Sequence, residues 1–188
     1  MKTASILVST LACANTALAA PAQETYYKLV ASAPGKTIHN KRLKPSAELW
    51  YIGKKADSNC GDVAPAVTVT ASGYLDFYAN GRQNQQYSYV DVSGAGKGLF
   101  GFTLPNKPAA QWDEVNVFTL ISSEQNHFKL VYDKDGFNWL ACPSDIGDMY
   151  TIYPKKAYDR HVPISECISF QIRAEKVETP ERSASTIE

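Results

Sequence analysis

The chain has 188 residues, of which 44% are hydrophobic, and its 19 basic side chains balance 19 acidic ones. This composition is typical of a soluble globular protein. A net charge of zero leaves no basic face to hold phosphates, so nucleic acid is not an expected partner. No internal stretch approaches the roughly 18 to 20 apolar residues of a membrane span, so we expect none.

Residues 1–19 have the features of a secretory signal peptide. Met1-Lys2 gives a positive start, residues 4–14 are apolar apart from Ser and Thr, and Ala17-Leu18-Ala19 is a small-x-small cleavage signal. We therefore expect a secreted chain with a short N-terminal leader at residues 20–24. One domain follows, because the remaining length suits a single hydrophobic core.

Alternation of apolar and polar residues with period two predicts short β-strands along this domain. The predicted strands, in chain order, are 67–70, 75–78, 87–92, 115–120, 128–132, 150–153 and 168–172. They are rich in β-branched and aromatic residues, and turn formers such as Asn80-Gly81 and Asp135-Gly136 lie between them. We predict an all-β domain over residues 25–174, a single compact barrel or sandwich of short antiparallel strands.

Residues 67–92 and 117–142 share one order of elements: strand, turn, strand, Asn-Gly or Asp-Gly, strand. A trefoil-like barrel is therefore an alternative, although many β-meanders have the same order. From about Ala174 the sequence is charged and rich in Ser and Thr, so it cannot bury enough apolar surface to fold. We predict a flexible, disordered tail at residues 175–188, and its lack of a hydrophobic end argues against a GPI anchor.

Three cysteines follow the predicted cleavage site: Cys60, Cys142 and Cys167. Because secreted proteins fold in an oxidising compartment, this odd number predicts one disulfide and one remaining thiol. We favour Cys142 with Cys167, since they flank the last predicted strands, and closing that loop would contribute about 3 kcal/mol. Cys60 is then buried or available for an intermolecular bond, and its pairing with either other cysteine stays open. Three isolated cysteines without a Cys-x-x-Cys pair do not resemble a zinc site.

No residue pattern indicates catalysis. His39, His127 and His161 stand outside the metalloprotease and hydrolase motifs, and no spacing selects a pair of carboxylates for glycoside hydrolysis. The run from Ser93 to Gly98 lacks the glycine and hydroxyl positions of a phosphate-binding loop. We therefore expect no enzyme, no catalytic residue, no metal site and no cofactor.

Tyrosine and tryptophan are more abundant than a core of this size needs, so some must be exposed. They include Tyr26, Tyr27, Trp50, Tyr51, Tyr74, Tyr78, Tyr87, Tyr89, Trp112, Trp139, Tyr150 and Tyr153. Exposed rings on a sheet can stack against the sugar rings of a wall polysaccharide, and structural cross-strand pairs are the alternative. The chain has no Asn-x-Ser/Thr sequon, so N-glycosylation is not expected.

The run from Tyr89 to Thr103 resembles the Val-Asp-x-Ser-Gly-x-Gly-x-Gly-x-x-Gly-aromatic-Thr signature of the fungal phialide-development cell wall proteins, the phiA family. The matching residues are Asp91, Ser93, Gly94, Gly96, Gly98 and Gly101. Residues 137–143 resemble the family's apolar-Ala-Cys-Pro segment, the region of Tyr78 its Leu-Tyr-Leu-Tyr strand, and Cys60 and Cys167 fall where its cysteines are expected. The resemblance spans most of residues 25–174. The acidic tail departs from it, since some relatives end in a further cysteine.

The resemblance implies a secreted, non-enzymatic protein of the fungal cell wall, linked to phialide and conidium formation, sporulation and stress protection. Some members are described as allergens or elicitors. Its partners would be wall polysaccharides or other wall proteins. A carbohydrate-binding module or secreted effector is the alternative function. From the residues alone, we predict that the segment from Asp91 to Gly101 is a surface connection whose glycines adopt positive φ, with Tyr89 and Phe102 on neighbouring strands.

Overall fold

The computed structural model describes residues 24–56, 62–78, 86–123, 127–134, 136–145, 147–159 and 163–178. Within these ranges the protein is all-β, as predicted, with short 3-10 turns at Lys155–Ala157 and Ile164–Glu166. The strands are β1 (Tyr26–Ser32), β2 (Leu43–Ser46), β3 (Leu49–Ile52), β4 (Val67–Val69), β5 (Leu75–Phe77), β6 (Ser88–Asp91), β7 (Leu99–Phe102), β8 (Asp113–Glu114), β9 (Phe118–Ser122), β10 (Phe128–Tyr132), β11 (Trp139–Pro143), β12 (Tyr150–Pro154) and β13 (Ile168–Val177). None of the helical turns in these ranges is long and apolar enough to cross a membrane.

All strand pairs that the structure describes are antiparallel, and they form one curled sheet in the order β5-β4-β1-β13-β11-β12-β3-β7-β6-β8. Strand β2 pairs with β3, and β10 pairs with both β9 and β13. An isolated bridge between Asp76 and Tyr87 connects β5 to the start of β6. The sheet is therefore a partial barrel around one main core.

Strand β13 organises the sheet, because it pairs on both of its edges. One edge pairs with β1 from Tyr26 opposite Val177 to Ser32 opposite Gln171. The other edge pairs first with β11 and then, nearer its C-terminal end, with β10. Between β10 and β11, which lie one after the other along this edge, Tyr132 and Gly136 form an isolated antiparallel bridge. Asp135 of the predicted turn lies outside the described residues.

Large aromatic side chains fill the core. The Trp50 ring stacks between Phe77 and Phe100, at centroid distances of 5.3 and 5.5 Å, and Phe100 also packs against Trp139 at 4.9 Å. Both buried indoles find hydrogen-bond acceptors: Trp50 Nε1 donates to Ser88 Oγ and Trp139 Nε1 to the carbonyl of Leu130, each at 3.1 Å. Their polar atoms are therefore satisfied away from water.

The predicted start of the C-terminal tail needs correction, and several other predicted features lie outside the described residues. The disordered tail was predicted from residue 175, but β13 continues to Val177 because its charged residues pair in register with β1 while Ala174 is buried. The signal peptide at 1–19, most of the leader at 20–24, the Asn80-Gly81 turn and residues 179–188 lie outside the described residues. Residues 67–92 and 117–142, whose similar order suggested a trefoil-like barrel, each contain a hairpin, β4–β5 and β9–β10. The two hairpins have different neighbours in the sheet.

Candidate functional site

A disulfide joins Cys142 in β11 to Cys167, directly before β13, and confirms the favoured pairing. Their Cα atoms are 4.2 Å apart. The bond lies in a small apolar cluster with Leu140 and Tyr153, separate from the main core. It therefore ties the start of β13 to the strand beside it. Cys60 lies outside the described residues, so its role stays a prediction.

The family-like glycine segment forms the connection between β6 and β7 and is held by its own polar residues. Asp91 Oδ1 accepts a hydrogen bond from the amide of Ser93 at 2.9 Å, and Ser93 Oγ accepts one from the amide of Gly96 at 3.0 Å. The amide of Gly98 donates to the carbonyl of Asp91 at 2.8 Å and closes the turn. Asp91 and Ser93 thus satisfy backbone groups of the turn, as Asx- and Ser-turns do.

The glycines of this segment are needed for different reasons. Gly98 has φ of +89°, and a Cβ there would stand 2.4 Å from the carbonyl oxygen of Ala157. Gly96 lies outside the positive-φ region, but its Cβ would overlap the Asp91 carboxylate, 2.0 Å from Cγ. A Cβ at Gly94 would meet nothing within 4 Å. The predicted positive φ is therefore found at Gly98, while a side chain at position 96 would have to displace the Asp91 carboxylate.

Gly101, the last signature glycine, sits in β7 directly opposite Tyr89 of β6. A Cβ at position 101 would stand 2.6 Å from Tyr89 Cζ. Ser88 pairs with Phe102 in the same register, so Tyr89 and Phe102 lie on neighbouring strands as predicted. The glycine leaves room for the tyrosine ring to lie across the sheet.

Carboxylates surround this tyrosine. Asp91 stands directly opposite Asp113 of β8, and Glu48 lies near enough to act on the same ring. Partial burial, and then these carboxylates, raise the pKa of Tyr89 to about 12. Burial, together with the charge of Asp91, also raises the pKa of Asp113. Lys107 offsets some of this negative charge through an ion pair with Glu48 at 3.2 Å.

The tryptophans divide between the core and the surface. Trp50 and Trp139 are fully buried, whereas Trp112 is 59% exposed, and Val92, whose amide donates to the carbonyl of Trp112, is 38% exposed. The sequence already distinguishes these tryptophans, since apolar residues flank the buried Trp50 while the polar Gln111 and Asp113 flank the exposed Trp112. The exposed aromatic predicted from composition is therefore present.

A surface cleft of about 710 Å³ lies where β1 begins and β13 ends. Its lining includes Glu24, Tyr26, Tyr78, Lys176 and Glu178. The Tyr26 and Tyr78 rings meet edge to face with centroids 4.7 Å apart, and the Tyr26 hydroxyl donates a short hydrogen bond to Glu24. Desolvation and the hydrogen bond to Glu24 raise the pKa of Tyr26 to about 12. The sequence did not single out this cleft.

Two of the three histidines, His39 and His127, lie within the described residues. His39 Nδ1 accepts a hydrogen bond from the amide of Ala33 at 3.2 Å and so supports the turn after β1. His161 lies outside the described residues. Among the described residues, no group of three or more His, Cys, Asp or Glu side chains is placed to hold a metal ion.

Comparison with known proteins places the chain in a family. A model of the PhiA-like secreted proteins matches residues 27–185. "Cell wall protein phiA" of Emericella nidulans is 29% identical over 185 residues, which cover 93% of this chain and 95% of that relative. "Cell wall protein phiA" of Aspergillus fumigatus is 24% identical over 178 residues, which cover 93% and 92%. No solved structure matches the chain. Since the family model spans nearly all of the folded domain, the chain belongs to the PhiA-like secreted protein family.

Proposed function

We propose that this protein is a non-enzymatic component of the fungal cell wall that supports asexual development, in phialide and conidium formation and sporulation, and protects against stress. Its relatives in E. nidulans and A. fumigatus carry the name cell wall protein. The wall location is inferred from that kinship, and the developmental and stress roles from the resemblance of residues 89–103 to the phialide-development proteins.

One structural observation carries the non-enzymatic part of the proposal. The family-like segment is the most distinctive part of the sequence, and its polar side chains are used internally: Asp91 and Ser93 hold the turn. Gly96, Gly98 and Gly101 accommodate close neighbours rather than a ligand. This internal use of Asp91 and Ser93 supports an architectural rather than a catalytic role for the segment.

The test is a fractionation of cells that express the full chain, followed by deletion of the gene. We expect the protein in the secreted fraction and in washed walls, and the deletion strain to form fewer conidia and to tolerate wall stress less well. The purified protein should release no sugar from glucan or chitin. Recovery only inside cells, or normal conidiation and stress tolerance after deletion, would contradict the proposal.

The alternative function is a carbohydrate-binding module or secreted effector. The exposed indole of Trp112 favours it, because flat exposed rings are the surfaces on which sugars stack. Pull-down on insoluble glucan and chitin, compared with retention in intact walls, separates the two. Retention only in intact walls indicates a structural role, and tight saturable binding to a soluble oligosaccharide indicates a module.

A further inference from the structure

We infer that the cleft between Tyr26 and Tyr78 binds a short stretch of uncharged, β-linked hexopyranose chain, and so gives the protein a contact with wall polysaccharide. The inference rests on the proposed wall location. It adds a site and a class of partner that this location does not itself specify.

The sheet register brings the two tyrosines together. Tyr27 of β1 pairs with Val67 of β4, and Val67 pairs with Phe77 of β5, so these three residues form one row across the sheet. Tyr26 comes one residue before that row and Tyr78 one residue after it, so the two lie on the same face of the sheet, diagonally across β4. The amide of Tyr78 donates to the carbonyl of Ala66 at 2.8 Å, which fixes its backbone beside β4. The position of both rings therefore follows from strand pairing.

The rings are held in a fixed arrangement before any ligand arrives. They meet edge to face, with an interplanar angle of 72°, and the Tyr26 hydroxyl is anchored on Glu24. In such a pair, each ring leaves at least one face uncovered by the other. Both tyrosines are only partly buried. The cleft therefore presents flat apolar surface that loses little side-chain entropy when a ligand binds.

The remaining lining favours an uncharged polar ligand. Lys176 and the carboxylates of Glu24 and Glu178 place both signs of charge around the rings. A polyanion or a polycation would meet a like charge there, whereas sugar hydroxyls can donate to a carboxylate and accept from an ammonium group. A pyranose with equatorial substituents presents a flat face of C–H groups that suits an aromatic ring, and the cleft has the volume of an ordinary ligand site.

A second depression on the surface provides a comparison. It has a volume of about 360 Å³ and is lined by polar residues that include Lys36, Asn138 and Gln171. Phe170 also lines it but is only 3% exposed. Without an exposed ring it lacks the apolar face that a sugar needs. Asn138→Ala is therefore a matched control on another part of the surface.

The experiment titrates the full secreted chain with laminari-oligosaccharides and, separately, with chito-oligosaccharides, by calorimetry and by NMR shift mapping. We expect one of the two series to bind and to shift the resonances of Tyr26 and Tyr78. Tyr26→Ala and Tyr78→Ala should each weaken binding about tenfold or more, the loss expected when a ring worth roughly 1.4 kcal/mol is removed. Asn138→Ala should bind like the parent protein, and Trp112→Ala tests whether the sugar stacks on the exposed indole instead.

Several outcomes would overturn the inference. They are the absence of binding by both series, unchanged affinity in both alanine variants, and loss of binding in Trp112→Ala alone. Melting curves identify variants that fail to fold. The NMR shifts of Tyr26 and Tyr78 in the unmodified protein test the cleft without any substitution. A protein that reaches the wall but binds neither sugar refutes the cleft and leaves the proposed function standing. A protein that binds sugar in vitro but is absent from the wall refutes the proposed function.

Discussion

Tyr89 of β6 stands directly opposite Gly101 of β7, and its ring fills the space that a side chain at position 101 would need. Glycine weakens a strand interior, because it has no side chain to pack and a flexible backbone. Here the cross-strand aromatic covers it, an arrangement that restores packing over a glycine within a strand. The last glycine of the family-like signature is therefore explained by its neighbour rather than by a ligand.

Gly101→Ala should destabilise the fold by about 1 to 3 kcal/mol, the usual cost of overpacking, because its Cβ would displace the Tyr89 ring. Urea unfolding measures the change. In the Tyr89→Ala background the same substitution should cost much less, since the steric conflict is gone. Additive effects of the two substitutions would show that the ring does not exclude the methyl group.

Removal of the disulfide by Cys142→Ala with Cys167→Ala should lower the free energy of unfolding by about 3 kcal/mol, the chain-entropy value for a loop of this length. The bond closes 25 residues and anchors the start of β13, on which β1, β10 and β11 all depend. Thermal unfolding with and without reductant gives the measurement. If reductant lowers the melting temperature of the doubly substituted protein as much as that of the parent, another bond carries the stabilisation.

Strands with one buried and one open face could be predicted from the sequence, because their residues alternate between apolar and polar. Strands buried on both faces could not. β6 alternates buried and half-buried residues over Ser88–Asp91, inside the span 87–92 that its sequence predicts. β3 has three consecutive buried residues, Trp50 to Ile52, so its sequence shows no period of two. The end of β13 was missed for the opposite reason. Its charged residues look like a tail, but Arg173 and Glu175 pair with each other at 2.6 Å beside the buried Ala174.

The disulfide could be predicted because only three cysteines follow the predicted cleavage site and two of them flank adjacent predicted strands. The cleft could not be predicted, since Tyr26 and Tyr78 are far apart in the sequence and meet only through the pairing of β1, β4 and β5. Similarly, the closeness of Gly96 to the Asp91 carboxylate depends on the turn conformation. Sequence indicated that glycine was needed there but suggested the wrong cause.

Stability should fall as the pH rises above 10. Burial raises the pKa of Tyr89 to about 12, from an ordinary value of 10.0, and the pKa of Tyr132 is raised too, by burial and by its hydrogen bond to Glu114. A group whose pKa is higher in the folded than in the unfolded state stabilises the fold. This contribution is complete while the pH is below the pKa of the unfolded state, and it is lost as the pH rises through the pKa of the folded state. The loss should therefore begin near pH 10 and continue to about pH 12.

Urea midpoints measured between pH 8 and 12 provide the test, and Tyr89→Phe is the matched variant because it keeps the ring and removes the titrating hydroxyl. Its stability should fall less steeply over this interval than that of the parent protein. Equal slopes for the two proteins would show that Tyr89 titrates at its ordinary pKa in the folded state.

The final prediction ranks substitutions in the β6–β7 connection. Gly98→Ala should cost the most, above about 1 kcal/mol, because the new Cβ meets the fixed carbonyl of Ala157 and the residue keeps φ of +89°. Gly96→Ala should cost about 1 kcal/mol, since the Asp91 carboxylate must move and give up its hydrogen bond to Ser93. Gly94→Ala should change stability by less than about 0.5 kcal/mol, as its Cβ meets open space.

Lys97→Ala completes the series. Lys97 has φ of 51°, and its backbone carbonyl, which any residue would supply, accepts from the amide of Asp159 at 3.3 Å. The alanine variant should therefore match the parent protein in melting temperature and in wall retention. If Lys97→Ala abolishes wall retention at unchanged stability, the signature marks a binding site. If instead Gly98→Ala and Gly96→Ala are both as stable as the parent protein, the close approaches to Ala157 and Asp91 do not constrain the fold, and the architectural explanation of the signature is wrong.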